Sequence, residues 1–186
     1  TCGVTPLQQS LDRSGKGRLQ ALPLAWDSRP AADGGQRWFP LQADEPILPG
    51  DPLHWTGRAW NWNSMCADCH STGVRRGYDP AGDRYETTWQ SIDVSCEACH
   101  GAGSRHVAWA SDRRRTEAGN GGLVALRNEA RWVLAPDEAI AHREGPPPVR
   151  TEVETCAPCH SRRTAIARER PPGQLFLDGH VPALLE

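Results

Sequence analysis

Alternating polar and apolar positions near the amino terminus predict a β-hairpin. Two such segments, residues 7–11 and 18–22, lie on either side of Ser-Gly-Lys-Gly at residues 14–17. The two closely spaced glycines supply the positive φ angles that a tight turn needs. Residues 30–52 are rich in Pro, Gly and Asp, which favours an ordered coil over a core or a surface loop. We therefore expect a small N-terminal β-hairpin followed by coil.

The later part of the chain alternates short helical patterns with turn-rich connections. Ser104 is a candidate N-cap for a helix that ends near Ser111. A longer helix is predicted over residues 152–168. Residues 131–134 favour a short strand, and residues 141–150, with three consecutive prolines, favour an extended linker. The expected fold is mainly α with much irregular coil.

Composition adds that the apolar core is small. Only 38% of the residues are hydrophobic, and eight Trp accompany just two Phe and two Tyr. This hydrophobic fraction is low for a core built from protein side chains alone. The eight large rings could pack against a bulky flat group, or they could simply fill a core that is short of Phe and Tyr.

The charge balance does not imply a nucleic-acid-binding surface. The formal net charge is -2, so the chain has no broad basic field that would attract a polyanion. Lys16 is the only lysine, which excludes a docking face ringed by lysines. The remaining cationic side chains are arginines, whose planar forks match carboxylates.

The motif Cys-x-x-Cys-His occurs three times, at residues 66–70, 96–100 and 156–160. In c-type haem attachment the two thiols add across the porphyrin vinyl groups, and the adjacent histidine binds the iron. A single copy could instead be a redox dithiol or half of a zinc site. Zinc ribbons separate their cysteine pairs by roughly 15–20 residues, whereas Cys69 and Cys96 lie further apart. The repeats therefore predict three covalently attached haem c groups, which would add apolar volume to the core.

These motifs assign nine residues to the haem sites. The thioether cysteines are Cys66, Cys69, Cys96, Cys99, Cys156 and Cys159, and the proximal iron ligands are His70, His100 and His160. Thirty residues separate Cys66 from Cys96, which is short for two haems on independent domains. We therefore expect one three-haem core over residues 61–186, wrapped by residues 1–60.

Other histidines are candidates for the second axial position of each iron. His106 follows His100 by six residues. His54 stands beside a tryptophan, where a histidine is usually structural, but imidazole is a common axial ligand and three irons need one. His142, at the edge of the proline-rich segment, is the weakest candidate. Met65, the only methionine, is too close to its own motif to reach the opposite face.

Cys2 is the one cysteine outside the motifs. We interpret it as an ordinary buried thiol, because free cysteine is commonly buried, with an intermolecular disulfide as the alternative. Covalent haem attachment takes place outside the cytoplasm, so we expect a periplasmic or extracellular protein. The sequence contains no apolar run long enough to span a bilayer, and we expect that a leader or a larger upstream part has been removed.

Several segments resemble the multihaem cytochromes c of bacteria. They are Gly-Val-x-Pro-Leu-Gln-Gln at residues 3–9, Gly-Gln-Arg-Trp-Phe at 35–39, Asp-Pro-Leu-His-Trp-Thr-Gly-Arg at 51–58, Cys-x-x-Cys-His-Gly-x-Gly-Ser-Arg-His at 96–106 and Cys-Ala-x-Cys-His-Ser-Arg-Arg at 156–163. Many members of this family also carry further haem motifs and tetratricopeptide repeats. This chain lacks both and resembles an internal three-haem portion of a larger design.

The resemblance implies a multihaem cytochrome c fold, akin to tetrahaem cytochromes with closely stacked haem pairs. In such proteins a histidine after Cys-x-x-Cys-His-Gly-x-Gly commonly binds the iron of a different haem, which implies that role for His106. The matching segments imply His54 and His180 as the other two distal ligands.

Three functional hypotheses follow. The first is electron transfer by hopping between closely spaced bis-histidine haems, because iron with two histidine ligands has no open site for a substrate. Its partners would be redox proteins or other cytochrome chains. The second is a haem enzyme acting on a small nitrogen or sulfur compound at an open iron, although no Cys-x-x-Cys-Lys variant marks such a haem. The third is a homo-oligomer or extracellular filament of cytochrome subunits.

Overall fold

The chain divides into two compact units, which we call unit 1, Thr1–Ser95, and unit 2, Cys96–Glu186. The computed structural model describes residues 3–44, 46–114, 116, 118–126, 130–146, 149–167 and 170–184. Helices account for 23% and strands for 25% of these described residues, and the strands among them form four small antiparallel sheets. The expectation of a mainly α fold is therefore wrong. The fold mixes short helices with short strands.

Unit 1 opens with a three-stranded antiparallel sheet. Its strands are β1, Leu7–Ser14, β2, Arg18–Asp27, and β3, Arg37–Pro40, with β2 in the centre. The predicted hairpin is confirmed, and its turn holds Lys16 and Gly17 at φ angles of 62° and 73°. Strand β3 corrects the prediction of coil over residues 30–52, because Trp38 pairs with Trp26 of β2. This pairing partner lies outside the local window on which the prediction depended.

The first motif lies in a compact helical segment of unit 1. The remaining elements of this unit are 3-10 helices at Ala31–Asp33 and Arg58–Trp60, helices α1, Trp62–Met65, and α2, Ala67–His70, and strands β4, Tyr78–Asp79, and β5, Arg84–Tyr85. Among the described residues the buried apolar side chains are Ala21, Ala25, Trp62 and Ala67. The rings of Trp62 and Trp89 meet edge to face with centroids 5.5 Å apart. The core of unit 1 therefore lies between β2 and the first motif.

Two carboxylates with lowered pKa values stabilise turns of unit 1. Arg29 Nη2 lies 2.7 Å from Asp27 Oδ2, and this hydrogen bond is the main reason that the pKa of the Asp27 carboxyl falls to about 2. Asp83 accepts hydrogen bonds from Arg18 at 2.6 Å and from Tyr78 at 3.0 Å, and these two bonds lower the pKa of its carboxyl. The Arg18–Asp83 pair joins β2 to the β4–β5 sheet.

Unit 2 consists of short elements joined by loops. They are α3, Cys96–His100, α4, Ser104–Ser111, β6, Arg131–Val133, β7, His142–Glu144, α5, Thr151–His160, β8, Arg163–Ala165, a 3-10 helix, Phe176–Asp178, and β9, His180–Pro182. Strand β6 pairs with β7, and β8 pairs with β9. The helix predicted to end near Ser111 and the strand predicted near residue 131 are confirmed. Ser104 is the first helical residue rather than the N-cap, which is Gly103.

Strand pairing overrides two local predictions in unit 2. The helix predicted over residues 152–168 ends at His160, and Arg163–Ala165 forms strand β8 against β9. The linker predicted over residues 141–150 begins with strand β7, which pairs with β6. In both cases the hydrogen-bonding partner belongs to another segment, so the local pattern does not contain the information that decides the structure.

Candidate functional site

A polar network ties the first motif to the sheet of unit 1. Asn61, the N-cap of α1, donates to Gln20 Oε1 at 3.0 Å. The Gln20 side chain, on β2, in turn donates to the carbonyl oxygens of Trp55 at 2.8 Å and Gly57 at 3.1 Å. One glutamine therefore positions both the helix that leads into the first motif and the loop that carries His54.

Asn63 makes a second link between the sheet and the first motif. Only 1% of its surface is exposed. Its Oδ1 accepts the Leu19 N–H at 2.7 Å, and its Nδ2 donates to Thr87 Oγ1 at 2.8 Å and to the Gly17 carbonyl at 3.3 Å. A buried amide is costly unless its polar atoms are paired. These bonds therefore hold α1, which ends one residue before Cys66, in a single orientation.

His54 lies in the loop between β3 and α1. Its ring lines a pocket of about 210 Å³ whose walls include Leu24, Leu53 and Trp55. Its Nδ1 lies 2.8 Å from Thr56 Oγ1, which leaves Nε2 as the nitrogen that can coordinate a metal. The loop thus presents one imidazole beside apolar walls.

The second motif lies on α3, which stops at Gly101 because that residue adopts a φ of 77°. Glu97 Oε1 accepts the Gly103 N–H at 2.6 Å and folds the following residues back onto the helix. His100 Nδ1 lies 2.8 Å from the Val124 carbonyl oxygen. Since a carbonyl oxygen can only accept, Nδ1 carries the proton and Nε2 has a free lone pair for a metal.

His106 has the same arrangement on α4. Its Nδ1 lies 2.7 Å from the carbonyl oxygen of Asn120, so Nδ1 carries the proton and Nε2 is the nitrogen with a free lone pair for a metal. Its ring lies 5.6 Å from the Trp109 ring, centroid to centroid. The loop that supplies the carbonyl approaches α4 closely, because a Cβ at Gly121 would lie 2.6 Å from His106 Cα.

The third motif occupies the second half of α5. Its three chemical groups, Cys156, Cys159 and His160, are exposed. Earlier on the same helix, Glu154 Oε2 accepts the Phe176 N–H. This hydrogen bond joins α5 to the 3-10 helix that precedes β9.

His180 begins β9 and is buried, with 9% of its surface exposed. It pairs across the sheet with Ala165 of β8. Its ring stacks on Phe176, with centroids 4.9 Å apart and planes inclined by 5°. Strand pairing and ring stacking together set the orientation of this imidazole.

His142 differs from the other candidates, because both of its nitrogens face carboxylates. Nδ1 lies 2.8 Å from Glu138 Oε2, and Nε2 lies 3.4 Å from Glu144 Oε1. Neither nitrogen is presented to a metal. This geometry agrees with its place as the weakest ligand candidate.

The predicted ligands are distributed over both units. Unit 1 contains His54 and His70, and unit 2 contains His100, His106, His160 and His180. Within the described ranges no group of three or more metal-binding side chains converges, unlike the closed ligand set of a structural zinc site.

The Met65 side chain is 54% exposed. Cys2 lies outside the residues that the structure describes.

The residues present fit covalently attached haem c. Each motif ends a helix at its histidine, with both thiols on that helix in the second and third motifs and with Cys66 as the N-cap of α2 in the first. In the described part of unit 2 the only buried side chains are Thr155 and His180, whereas Trp132, Leu134 and Leu177 are each more than 60% exposed. A porphyrin provides the apolar surface that such side chains can cover.

The sequence alone did not reveal the groups that position the histidines. These groups are the side chains of Gln20, Asn61, Asn63 and Glu97 and the carbonyls of Asn120 and Val124. Asn61 was detectable, since asparagine is a preferred N-cap and it stands five residues before Cys66. The two carbonyls had no sequence signature, because every residue carries one.

No membrane-spanning helix occurs in the part of the chain that the structure describes, because none there combines the required length and apolar character.

Comparison with known proteins identifies one family. The family model described as cytochrome c554 and c-prime matches residues 54–101, a range that begins at His54 and includes the first two motifs. No curated protein matches the chain. Among solved structures, the crystal structure of outer cell wall cytochrome OcwA is similar with a TM-score of 0.49 and 18% identity, over 96% of this chain and 31% of that chain. The present chain thus spans less than a third of that cytochrome. The family match over residues 54–101, together with the repeated attachment motif, supports a multihaem cytochrome c with covalently bound haem.

Proposed function

We propose that the chain is a three-haem cytochrome c that transfers electrons by hopping between closely spaced bis-histidine haems. The attachment residues are Cys66, Cys69, Cys96, Cys99, Cys156 and Cys159, the proximal ligands are His70, His100 and His160, and the distal ligands are His54, His106 and His180. Haem c supplies a one-electron ferric–ferrous couple at each site. The chain contributes fixed thiols, oriented imidazoles and the groups around them.

The observation that carries this proposal is the shared hydrogen bonding of His100 and His106. Their Nδ1 atoms lie 2.8 Å and 2.7 Å from backbone carbonyl oxygens. Such a bond fixes the tautomer, orients the ring and increases the basicity of Nε2. A motif histidine and the histidine six residues later are therefore both prepared as metal ligands.

The groups around His54 and His180 differ from those around His142, and this difference supports the proposal. His54 also has its Nδ1 engaged by a neighbour, the Thr56 hydroxyl, and His180 is held by a strand and a stacked ring. His142, which is not assigned to an iron, has carboxylates at both nitrogens. The assigned and unassigned histidines thus differ in the chemistry around the ring.

Two histidines on each iron favour electron transfer over catalysis, because they leave no coordination position for a small nitrogen or sulfur compound. We propose redox proteins or other cytochrome chains as partners, with a homo-oligomer or filament as one form of such contact. Covalent attachment outside the cytoplasm places the protein in the periplasm or outside the cell. Residues 1–60 would wrap the haem-bearing core.

The test of this proposal is low-temperature electron paramagnetic resonance on the oxidised protein, with haem content measured on the same sample. We expect three haems per chain and only low-spin signals. A stoichiometric high-spin component would contradict bis-histidine ligation at one iron. A content of fewer than three would contradict the haem number.

Single substitutions assign the distal ligands. His54→Ala, His106→Ala and His180→Ala should each convert one haem to high spin, because one axial ligand is lost. His142→Ala is the matched control and should leave every haem unchanged. If His106→Ala leaves all haems low-spin, the ligand assignment of that residue is wrong.

A further inference from the structure

The guanidinium of Arg170 has one satisfied edge and one unsatisfied edge. Its Nη1 donates to the Phe176 carbonyl oxygen at 3.0 Å. Its Nε and Nη2 atoms are buried, and neither has a hydrogen-bond partner among the described residues. This is a donor pair without an acceptor, whereas buried polar groups in proteins are normally paired.

The two unsatisfied atoms form a fork. The N–H groups of Nε and Nη2 point in nearly parallel directions from the same side of the planar guanidinium, and their spacing matches the two oxygens of a carboxylate. A buried cation without an anionic partner is strongly unfavourable. The fork therefore indicates that a carboxylate completes this site.

The backbone around Arg170 is shaped to keep the side chain in place. A Cβ at Gly179 would lie 1.9 Å from Arg170 Cδ, so only glycine permits this path of the side chain. The Arg170 bond to Phe176 fixes the same 3-10 helix that Glu154 of α5 joins to the third motif. Arg170 thus lies in the segment that connects the third motif with His180.

The protein itself does not supply the missing acceptor within the described residues. The Glu154 carboxylate, on α5, accepts the Phe176 N–H and makes no ion pair with Arg170. A haem carries two propionate side chains, each ending in a carboxylate. The third motif attaches such a group to the helix that contacts this segment.

The geometry points to the Nε–Nη2 edge of Arg170 as the binding site for a propionate of the haem attached at Cys156 and Cys159. This inference rests on the proposed attachment of haem at the third motif. The fork holds the carboxylate by two charge-assisted hydrogen bonds and places a positive charge beside that haem. The positive charge offsets the propionate charge, stabilises the reduced iron and raises the midpoint potential of that haem.

The experiment compares the holoprotein with Arg170→Gln, Arg170→Lys and the control Arg131→Gln. Arg131 is in the same unit and has a side chain that is 79% exposed, so its replacement makes the same change in net charge at a solvated position. Haem content, electron paramagnetic resonance and a spectroelectrochemical titration are recorded for each protein. These measurements separate haem attachment and spin state, which test the proposed function, from the midpoint potential, which tests Arg170.

We expect Arg170→Gln to retain three low-spin haems and to shift one midpoint potential downward, with the other two unchanged. Arg131→Gln should shift none of them. Arg170→Lys keeps the charge without the fork and should give a smaller shift of the same haem. Gly179→Ala displaces the Arg170 side chain without changing the charge and should reproduce the downward shift.

Unchanged potentials in both Arg170 variants would overturn the inference. If Arg170→Gln does not fold, the midpoint potentials of Arg170→Lys and Gly179→Ala test the inference instead. Unchanged potentials in these two variants would then overturn it. A wild-type potential that changes on addition of inorganic phosphate, with the change lost in Arg170→Gln, would show a site for free anions instead of a propionate. A high-spin wild-type protein would contradict the proposed ligation and would leave the Arg170 comparison valid.

Discussion

The Nδ1 atom of His106 lies 2.7 Å from the carbonyl oxygen of Asn120. These two residues are 14 positions apart, and Gly121, the residue after Asn120, lies against α4. Ring orientation at the candidate distal ligand therefore depends on a backbone conformation in a separate loop. Gly121 therefore influences the orientation of the His106 ring, although it contacts no metal itself.

Gly121→Ala should disturb the haem for which we propose His106 as a ligand. Gly121 has a φ of 65°, and a Cβ there would lie 2.6 Å from His106 Cα. The left-handed conformation alone costs about 1–2 kcal/mol in a residue with a Cβ, and the contact displaces the loop in addition. We expect one low-spin signal in electron paramagnetic resonance to broaden or to become partly high-spin.

The control for that variant is Gly34→Ala, which has a similar φ of 78° but no atom within 4 Å of the added Cβ. Gly34→Ala should introduce the same strain from a positive φ and leave the haem signals unchanged. Identical spectra for the two variants would show that the approach of Gly121 to His106 has no role in ligation.

Asn63→Ala should loosen the attachment of the first motif to the sheet. The substitution leaves the Leu19 N–H without its acceptor in a buried site and removes the bond to Thr87 Oγ1. Loss of the acceptor for one buried donor costs about 1–3 kcal/mol. We expect a loss of this size in the free energy of unfolding, and faster amide hydrogen exchange at Leu19.

Thr87→Val provides the comparison for Asn63→Ala. It removes the hydroxyl that bonds to Asn63 and to the Arg76 carbonyl but keeps the Leu19 N–H paired. Its effect on exchange at Leu19 should be clearly smaller. Equal exchange rates in the two variants would refute the role of Asn63 as the acceptor for this amide.

Asp27→Asn should destabilise the protein at neutral pH but not in strong acid. Hydrogen bonds from Arg29 lower the pKa of the Asp27 carboxyl from 3.8 to about 2. A carboxyl with a lowered pKa contributes stability above its unfolded-state value and loses that contribution as the pH falls through the folded-state value. The difference in Tm between wild type and variant should therefore be present at pH 7 and shrink between pH 3.8 and about 2.

Asp12→Asn is the control for this pH dependence. Asp12 is exposed and, among the described residues, has no ion-pair partner. Its Tm difference from wild type should be small at every pH. A pH-independent effect of Asp27→Asn would rule out the Arg29 pair as the cause.

Preventing haem attachment should affect unit 2 more than unit 1. The described part of unit 2 has no buried apolar side chain, whereas the sheet of unit 1 packs on Trp62. A chain with serine at all six motif cysteines should therefore lose amide protection in β6 to β9 and retain it in β1 and β2. Hydrogen exchange with mass spectrometry measures both regions in one experiment. Equal protection of the two regions would show that haem is not what stabilises unit 2.

Local chemistry allowed some elements to be predicted and not others. The β1–β2 hairpin follows from a four-residue turn with two glycines, so it could be predicted. Strands β3, β7 and β8 each depend on a partner from another segment, and the local patterns at these positions predicted coil, linker or helix instead. Tertiary pairing decided these three elements.

The same division applies to the candidate site. The motif cysteines and their adjacent histidines could be predicted because their spacing is a covalent requirement, whereas the distal candidates His54, His106 and His180 were implied by the family resemblance. The carbonyl groups that orient His100 and His106 are backbone atoms of distant loops, and no residue type marks them. The fork of Arg170 was equally hidden, because burial of one edge of its guanidinium is a property of the folded chain.

Lys16 provides a single lysine side chain for chemical coupling. It is the only lysine in the sequence, it is exposed, and it occupies the tip of the β1–β2 turn at a φ of 62°. Reagents that couple to lysine side-chain amines can thus modify one position of the chain, on a hairpin that holds no haem motif. Immobilisation on an electrode through this amine would tether every molecule by the same loop and leave all three attachment motifs unmodified.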